Sequence, residues 1–136
     1  MPAAPVTVHV LSGCPHCTRA LALLRRRGIE HDIVSGDGVH GFREQLRAQT
    51  GGWTVPQVVI GGRAIGGADQ LARLDRLGVL TALVAGDALP IMRVRRRRLA
   101  RTSGRWVADL YDAAGQRVAR GTGRDRDEAC TAVRGE

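Results

Sequence analysis

Cys14 and Cys17 are separated only by Pro15 and His16, a spacing that lets two thiols close into a disulfide and open again. The apolar run Val6-Thr7-Val8-His9-Val10-Leu11 precedes them and a helix-like run follows, so the pair falls at a strand-to-helix turn. Cys14 then takes the helix N-cap, where unpaired N–H groups and the positive helix end favour a thiolate. Cys17, one turn further in, is expected to be more buried and to act as the resolving thiol. Pro15 stiffens the turn. His16 adds a titratable ring that, if protonated beside the sulfur, lowers the pKa of Cys14 further. The same spacing also serves as half of a zinc site, and the pair alone leaves both chemistries open.

The surrounding sequence must place that turn. Residues 15–27 are predicted as a helix with Pro at its first position, an apolar face of Cys17, Ala20, Leu21 and Leu24, and Gly28 at its end. Strands are predicted over Val6–Leu11, Ile29–Val34 and Gln57–Ile60, the last paired with Ala64–Ile65 around Gly61-Gly62. Helices are predicted over Phe42–Thr50 and from a cap at Asp69 to Leu77, with a further turn over Leu80–Val84. The order βαβαββα predicts an α/β fold, a small mixed sheet flanked by helices.

The pattern changes after Gly86-Asp87-Ala88-Leu89-Pro90. Strands are predicted over 91–98, 105–111 and 117–120, then a helix from about Asp125 to Arg134 with an apolar stripe of Ala129, Cys130 and Val133. The expected domains are therefore 1–86 and 87–136, the second a basic βββα extension, small for an independent core.

Composition bounds the partners. The chain has 136 residues, 43% hydrophobic but only 3% aromatic, so its core must be aliphatic. All 21 basic residues are Arg and the net charge is +8. A coding bias accounts for this more simply than Arg-specific chemistry, yet any anion site must use Arg, backbone N–H groups or helix ends. Three cysteines exclude a disulfide framework. No stretch approaches the roughly 20 apolar residues of a membrane span, and Met1-Pro2-Ala3-Ala4-Pro5 lacks a signal peptide's charged start, so a soluble cytoplasmic protein without a membrane partner is expected.

Charge is uneven: residues 1–86 carry 9 Arg against 6 acidic residues, residues 87–136 carry 12 against 7. Arg93, Arg95, Arg96, Arg97, Arg98 and Arg101 fall within nine residues. Such a run suggests a polyanion, nucleic acid or an acidic partner, with Trp106 and Tyr111 as stacking faces; a solvated strand face is the alternative. Gly121-Thr122-Gly123 before a helix resembles the C-terminal half of a double-stranded RNA-binding domain, but Asp125, Asp127 and Glu128 stand where that family has Lys.

Residues 6–84 resemble the glutaredoxin family, within the thioredoxin-like fold. The resemblance rests on Cys14-Pro15-His16-Cys17, on Thr54-Val55-Pro56-Gln57-Val58-Val59-Ile60 and on Ile65-Gly66-Gly67-Ala68-Asp69, in that order and spacing. It implies a thiol–disulfide oxidoreductase that reduces protein disulfides or protein–glutathione mixed disulfides, with glutathione as co-substrate and no metal. It further implies that Cys14 and Cys17 are catalytic. Pro56 would be cis and face Cys14, and the Val55 backbone would pair with an extended peptide. The resemblance places the γ-glutamyl end of glutathione at Gly67, Ala68 and Asp69, and the glycyl carboxylate at Arg43; Thr54 and His16 complete the glutathione-binding set.

Leu11-Ser12-Gly13 stands where the family has a Lys, His16 replaces the usual aromatic, and Trp53 replaces a polar residue before Thr54. A thioredoxin-like redoxin served by another thiol or a reductase is the alternative electron route. A zinc site would lack a second ligand pair: His9, His31 and His40 are not at ligand spacing, and Cys130 is distant.

Overall fold

The computed structural model describes residues 3–97 and 106–135, and the chain forms two compact units, Met1–Asp87 and Ala88–Glu136. In the first, the elements run β1 (Val6–Val10), α1 (Pro15–Arg26), β2 (Asp32–Ser35), α2 (Phe42–Thr50), β3 (Gln57–Ile60), β4 (Arg63–Gly66), α3 (Ala68–Leu77) and α4 (Val79–Val84). The sheet order is β2-β1-β3-β4; β1 is parallel to β2 and antiparallel to β3, and β4 is antiparallel to β3. This is the expected mixed sheet in the expected βαβαββα order, with α4 as the further turn.

The core is aliphatic, as the composition requires. Val8, Leu24, Leu46, Val58, Leu71, Leu74, Val79 and Leu80 are fully buried. Removing each from water contributes about 1.5–3 kcal/mol. Their positions on the two central strands and on all four helices of this unit tie the cysteine-bearing α1 to the sheet.

Three local expectations shift. The second strand begins at Asp32, not Ile29. The Ile29 N–H bonds to the Leu24 carbonyl (2.9 Å) and the Gly28 N–H to Arg25 (3.0 Å), so Ile29 closes the end of α1 as a buried hydrophobic cap. Ile33 (48% exposed) and Val34 (41%) lie on an edge strand instead of in the core. On α1, Leu23 is buried and Leu21 only half-buried. The N-cap of α3 is Gly67, not Asp69: the Gln70 side chain accepts from the Gly67 N–H (2.9 Å), and Asp69 lies inside the first turn.

The second unit has β5 (Ile91–Arg96), β6 (Trp106–Tyr111), β7 (Arg117–Gly123) and α5 (Arg126–Arg134), with all pairs antiparallel in the order β5-β6-β7. β5 ends at Arg96, so Arg97 follows it, and Arg98, Arg101 and Arg105 of the expected strands and basic run lie outside the described residues. β7 runs past Arg120 through Gly121 and Gly123, which pair with Ala108 and Trp106. A Cβ on Gly121 would collide with the Val133 backbone and come within 2.6 Å of the Ala129 carbonyl, so α5 lies directly against this strand. Asp125 caps α5, accepting from the Glu128 N–H at 2.8 Å. Trp106 packs on the Ala108–Ala129–Val133 cluster and belongs to this small core, not to a free stacking surface.

Candidate active site

Cys14 is the N-cap of α1, in extended backbone geometry, and its sulfur accepts from the Cys17 N–H at 3.2 Å. The sulfur is half-buried, whereas Cys17 is 3% exposed; both are free thiols. Burial alone pushes the Cys14 thiol up. The Cys17 thiol and the backbone N–H groups of Cys17 and His16 outweigh it and hold Cys14 below its ordinary value. Burial, followed by the bond to Cys14 and the Cys14 charge, pushes Cys17 up to about 11. The asymmetry is that of an attacking thiolate beside a protonated resolving thiol.

The loop before β3 brings backbone to the sulfur. Cys14 Sγ lies 3.8 Å from the Val55 carbonyl, and the Val55–Pro56 peptide is cis. Pro56 is buried and Val55 half-buried. The side-chain amide of Gln57, buried at the start of β3, donates to the Thr54 carbonyl (2.9 Å) and holds the exposed Thr54 beside that bond. Two arginines one turn apart on α2 grip the preceding residue: Arg43 Nη1 donates to the Trp53 carbonyl (2.7 Å), and the Arg47 guanidinium stacks 4.8 Å from the Trp53 ring centre.

On the other side, Gly67 sits so close to Pro56 that a Cβ there would lie 3.3 Å from the Pro56 carbonyl. The buried Ala68 and the exposed Asp69 follow in the first turn of α3. Asp69 Oδ1 accepts from Arg19 Nη2 at 2.7 Å, and the same Nη2 lies 3.3 Å from His16 Nδ1. A guanidinium only donates, so Nδ1 is the acceptor in this contact. His16 thus turns its ring to Arg19 and offers Cys14 its backbone N–H.

Cys14, Val55, Pro56, Gly67, Ala68, Asp69 and His16 therefore form one circuit around the sulfur, closed by Arg19; Thr54 and Arg43 join it through Trp53. Arg19 was missed in the sequence: its i+3 spacing from His16 was readable, its link to Asp69, 50 residues away, was not. Ser12 was missed too. Its N–H (3.0 Å) and hydroxyl both donate to Asp37, pinning the Cys14 loop to the segment after β2, where the family resemblance calls for a Lys. Among the described residues no group of His, Cys, Asp or Glu could hold a metal ion.

A mixed sheet presenting a helix-capping thiolate against a cis X-Pro peptide defines a thioredoxin-like dithiol oxidoreductase. A family model described as Glutaredoxin matches residues 6–65. A glutaredoxin of Pseudomonas aeruginosa is 40% identical over 81 residues, which cover 60% of this chain and 96% of that protein. Glutaredoxin 3 of Escherichia coli is 38% identical, over 60% of this chain and 98% of the relative. Among solved structures, a buckwheat glutaredoxin–glutathione complex superposes with a TM-score of 0.57 at 29% identity, covering 61% of this chain and 78% of that one. The chain belongs to the glutaredoxin family, and is a glutathione-dependent thiol–disulfide oxidoreductase.

Proposed function

We propose that the enzyme removes glutathione from protein–glutathione mixed disulfides, with Cys14 as nucleophile and the circuit around it as the glutathione site. The observation that carries this reading is the Cys14 sulfur held between the Cys17 N–H and the Val55 carbonyl. Cys14 thiolate attacks the glutathione sulfur, the mixed disulfide breaks, and the protein thiolate leaves and takes up a proton. The cysteinyl backbone of glutathione pairs with Val55 beside Thr54 and Pro56. Its γ-glutamyl end lies at Gly67, Ala68 and Asp69 near His16, and its glycyl carboxylate reaches Arg43. A second glutathione thiolate then attacks the Cys14 adduct, releasing oxidised glutathione and restoring Cys14. Cys17 can instead displace glutathione and form the Cys14–Cys17 disulfide.

The glutathione bound in the buckwheat complex supports this reading. Mass spectrometry after incubation with oxidised glutathione tests it. Cys17→Ser should carry one stable glutathionyl group on Cys14 and keep glutathione-coupled turnover, whereas Cys14→Ser should carry none there and lose turnover. Adduct on Cys17 alone, or turnover by Cys14→Ser, would sink the assignment.

Residues 1–86 then form the redox domain and 87–136 a basic extension, in a protein that works in the cytoplasm; no helix among the described residues is long and apolar enough to cross a membrane. A polyanion, nucleic acid in the first instance, is the partner of the run Arg93–Arg101. Strand register favours it: Arg93 and Arg95 share the sheet face of Asp109, Arg117 and Arg120, four arginines to one carboxylate. Retention of duplex DNA by the full chain at low salt, lost steeply as salt rises, is the expected gel-shift result; no retention at low salt removes this partner.

A further inference from the structure

We propose that Arg19 binds the γ-glutamyl carboxylate of glutathione, forming with Asp69 a two-armed clamp for that zwitterion; this rests on glutathione docking at the start of α3, as above. Both recorded polar contacts of Arg19 use Nη2, toward Asp69 (2.7 Å) and toward His16 (3.3 Å). A guanidinium presents five N–H donors in a planar fork, so Nε and Nη1 keep N–H groups for a second carboxylate.

The γ-glutamyl end carries an ammonium and a carboxylate on the same carbon. Arg19 and Asp69 offer the two opposite charges, in contact, at the mouth of the site. The ammonium takes the exposed Asp69 carboxylate, and the carboxylate takes the remaining N–H donors of Arg19. Side chains 54% and 83% exposed make an ion pair that adds little to stability and opens readily to a ligand. His16 keeps Arg19 at the Cys14 end of α1 rather than free in solvent. Charge also balances over the whole ligand. Glutathione has two carboxylates and one ammonium; the site has Arg19, Arg43 and Asp69.

The test compares one peptide as its glutathione mixed disulfide and as its cysteinylglycine mixed disulfide, which lacks the γ-glutamyl residue. Arg19→Met keeps the aliphatic stem and removes the charge. Its preference for the glutathione form, as the ratio of kcat/KM values, should fall about five- to tenfold, mainly through KM, and Arg19→Lys should recover part of it. Equal loss on both substrates means a structural strut between α1 and α3 and overturns the proposal, as does an unchanged ratio. Asp69→Asn separates the two levels. If it lowers the ratio and Arg19→Met does not, only the role of Arg19 falls; if neither lowers it, the docking of glutathione at α3 falls as well.

Discussion

The Cys17 backbone N–H donates to the Cys14 sulfur at 3.2 Å, one of the contacts that hold Cys14 below its ordinary value, while burial raises Cys17. Cys14 gains donors on one exposed flank; Cys17 loses solvent and faces the Cys14 charge. A single helical turn thus separates nucleophile from reserve.

Alkylation of the reduced enzyme should therefore be biphasic with pH. Cys14 should react with iodoacetamide with a midpoint below the roughly 8.5 of a free thiol, and Cys17 only near pH 11. The stability signs are opposite. Cys14, whose folded value is depressed, contributes stability that is present above about pH 8.5 and lost as pH falls through its folded value. Cys17, whose folded value is raised, contributes stability that is full below about pH 8.5 and lost as pH rises toward 11. The reduced protein should weaken over that alkaline window and Cys17→Ala should not; parallel curves for the two would show that Cys17 is not the titrating group.

Arg43→Gln should raise KM for a glutathionylated peptide about fivefold with little change in kcat, the loss of one charge-assisted hydrogen bond at an exposed site. The side chain also anchors the Trp53 carbonyl, so Trp53 fluorescence should shift in the same variant. Titrating the variant with glutathione reads both. A fluorescence shift with unchanged KM would leave Arg43 as a loop anchor only.

Asp109 is 2% exposed in the second unit and holds Arg120 through two hydrogen bonds (2.6 and 3.0 Å), with Arg95 at 3.9 Å. The Arg120 hydrogen bond, aided by the Arg120, Arg117 and Arg95 charges, keeps this carboxyl below the usual carboxylate range despite its burial. Asp109→Asn should destabilise the unit by about 2 kcal/mol, less than the ~3–5 kcal/mol of a wholly buried pair because both arginines reach solvent. A depressed carboxyl contributes stability that is present above about pH 4 and lost as pH falls through its folded value. Denaturation followed by Trp106 fluorescence in a Trp53→Phe background checks this. Identical acid sensitivity with and without Asp109 would contradict it.

What was readable in the sequence was local. A strand-helix turn puts Cys14 on unpaired N–H groups whatever the rest of the chain does, and the helix period puts Cys17 beneath it. Hydrophobic periodicity likewise marked every element of the first unit. Its boundaries failed where tertiary packing intervened: Ile29 reads as strand and is used to close α1, and Gly121 reads as a break and is kept in β7 because α5 presses on it.

Cys-x-x-Cys, Thr-Val-Pro and Gly-Gly-Ala-Asp by themselves determined the kind of chemistry, since each acts through its own few residues of backbone. Only the tertiary structure decided what meets across the chain: Val55 against Cys14, 41 residues apart, and Asp69 against Arg19, 50 residues apart. Pairings at such separations depend on how the sheet and helices close over a shared core. The sequence shows Arg19 only as an i+3 neighbour of His16, and it meets Asp69 only when α3 arrives beside α1.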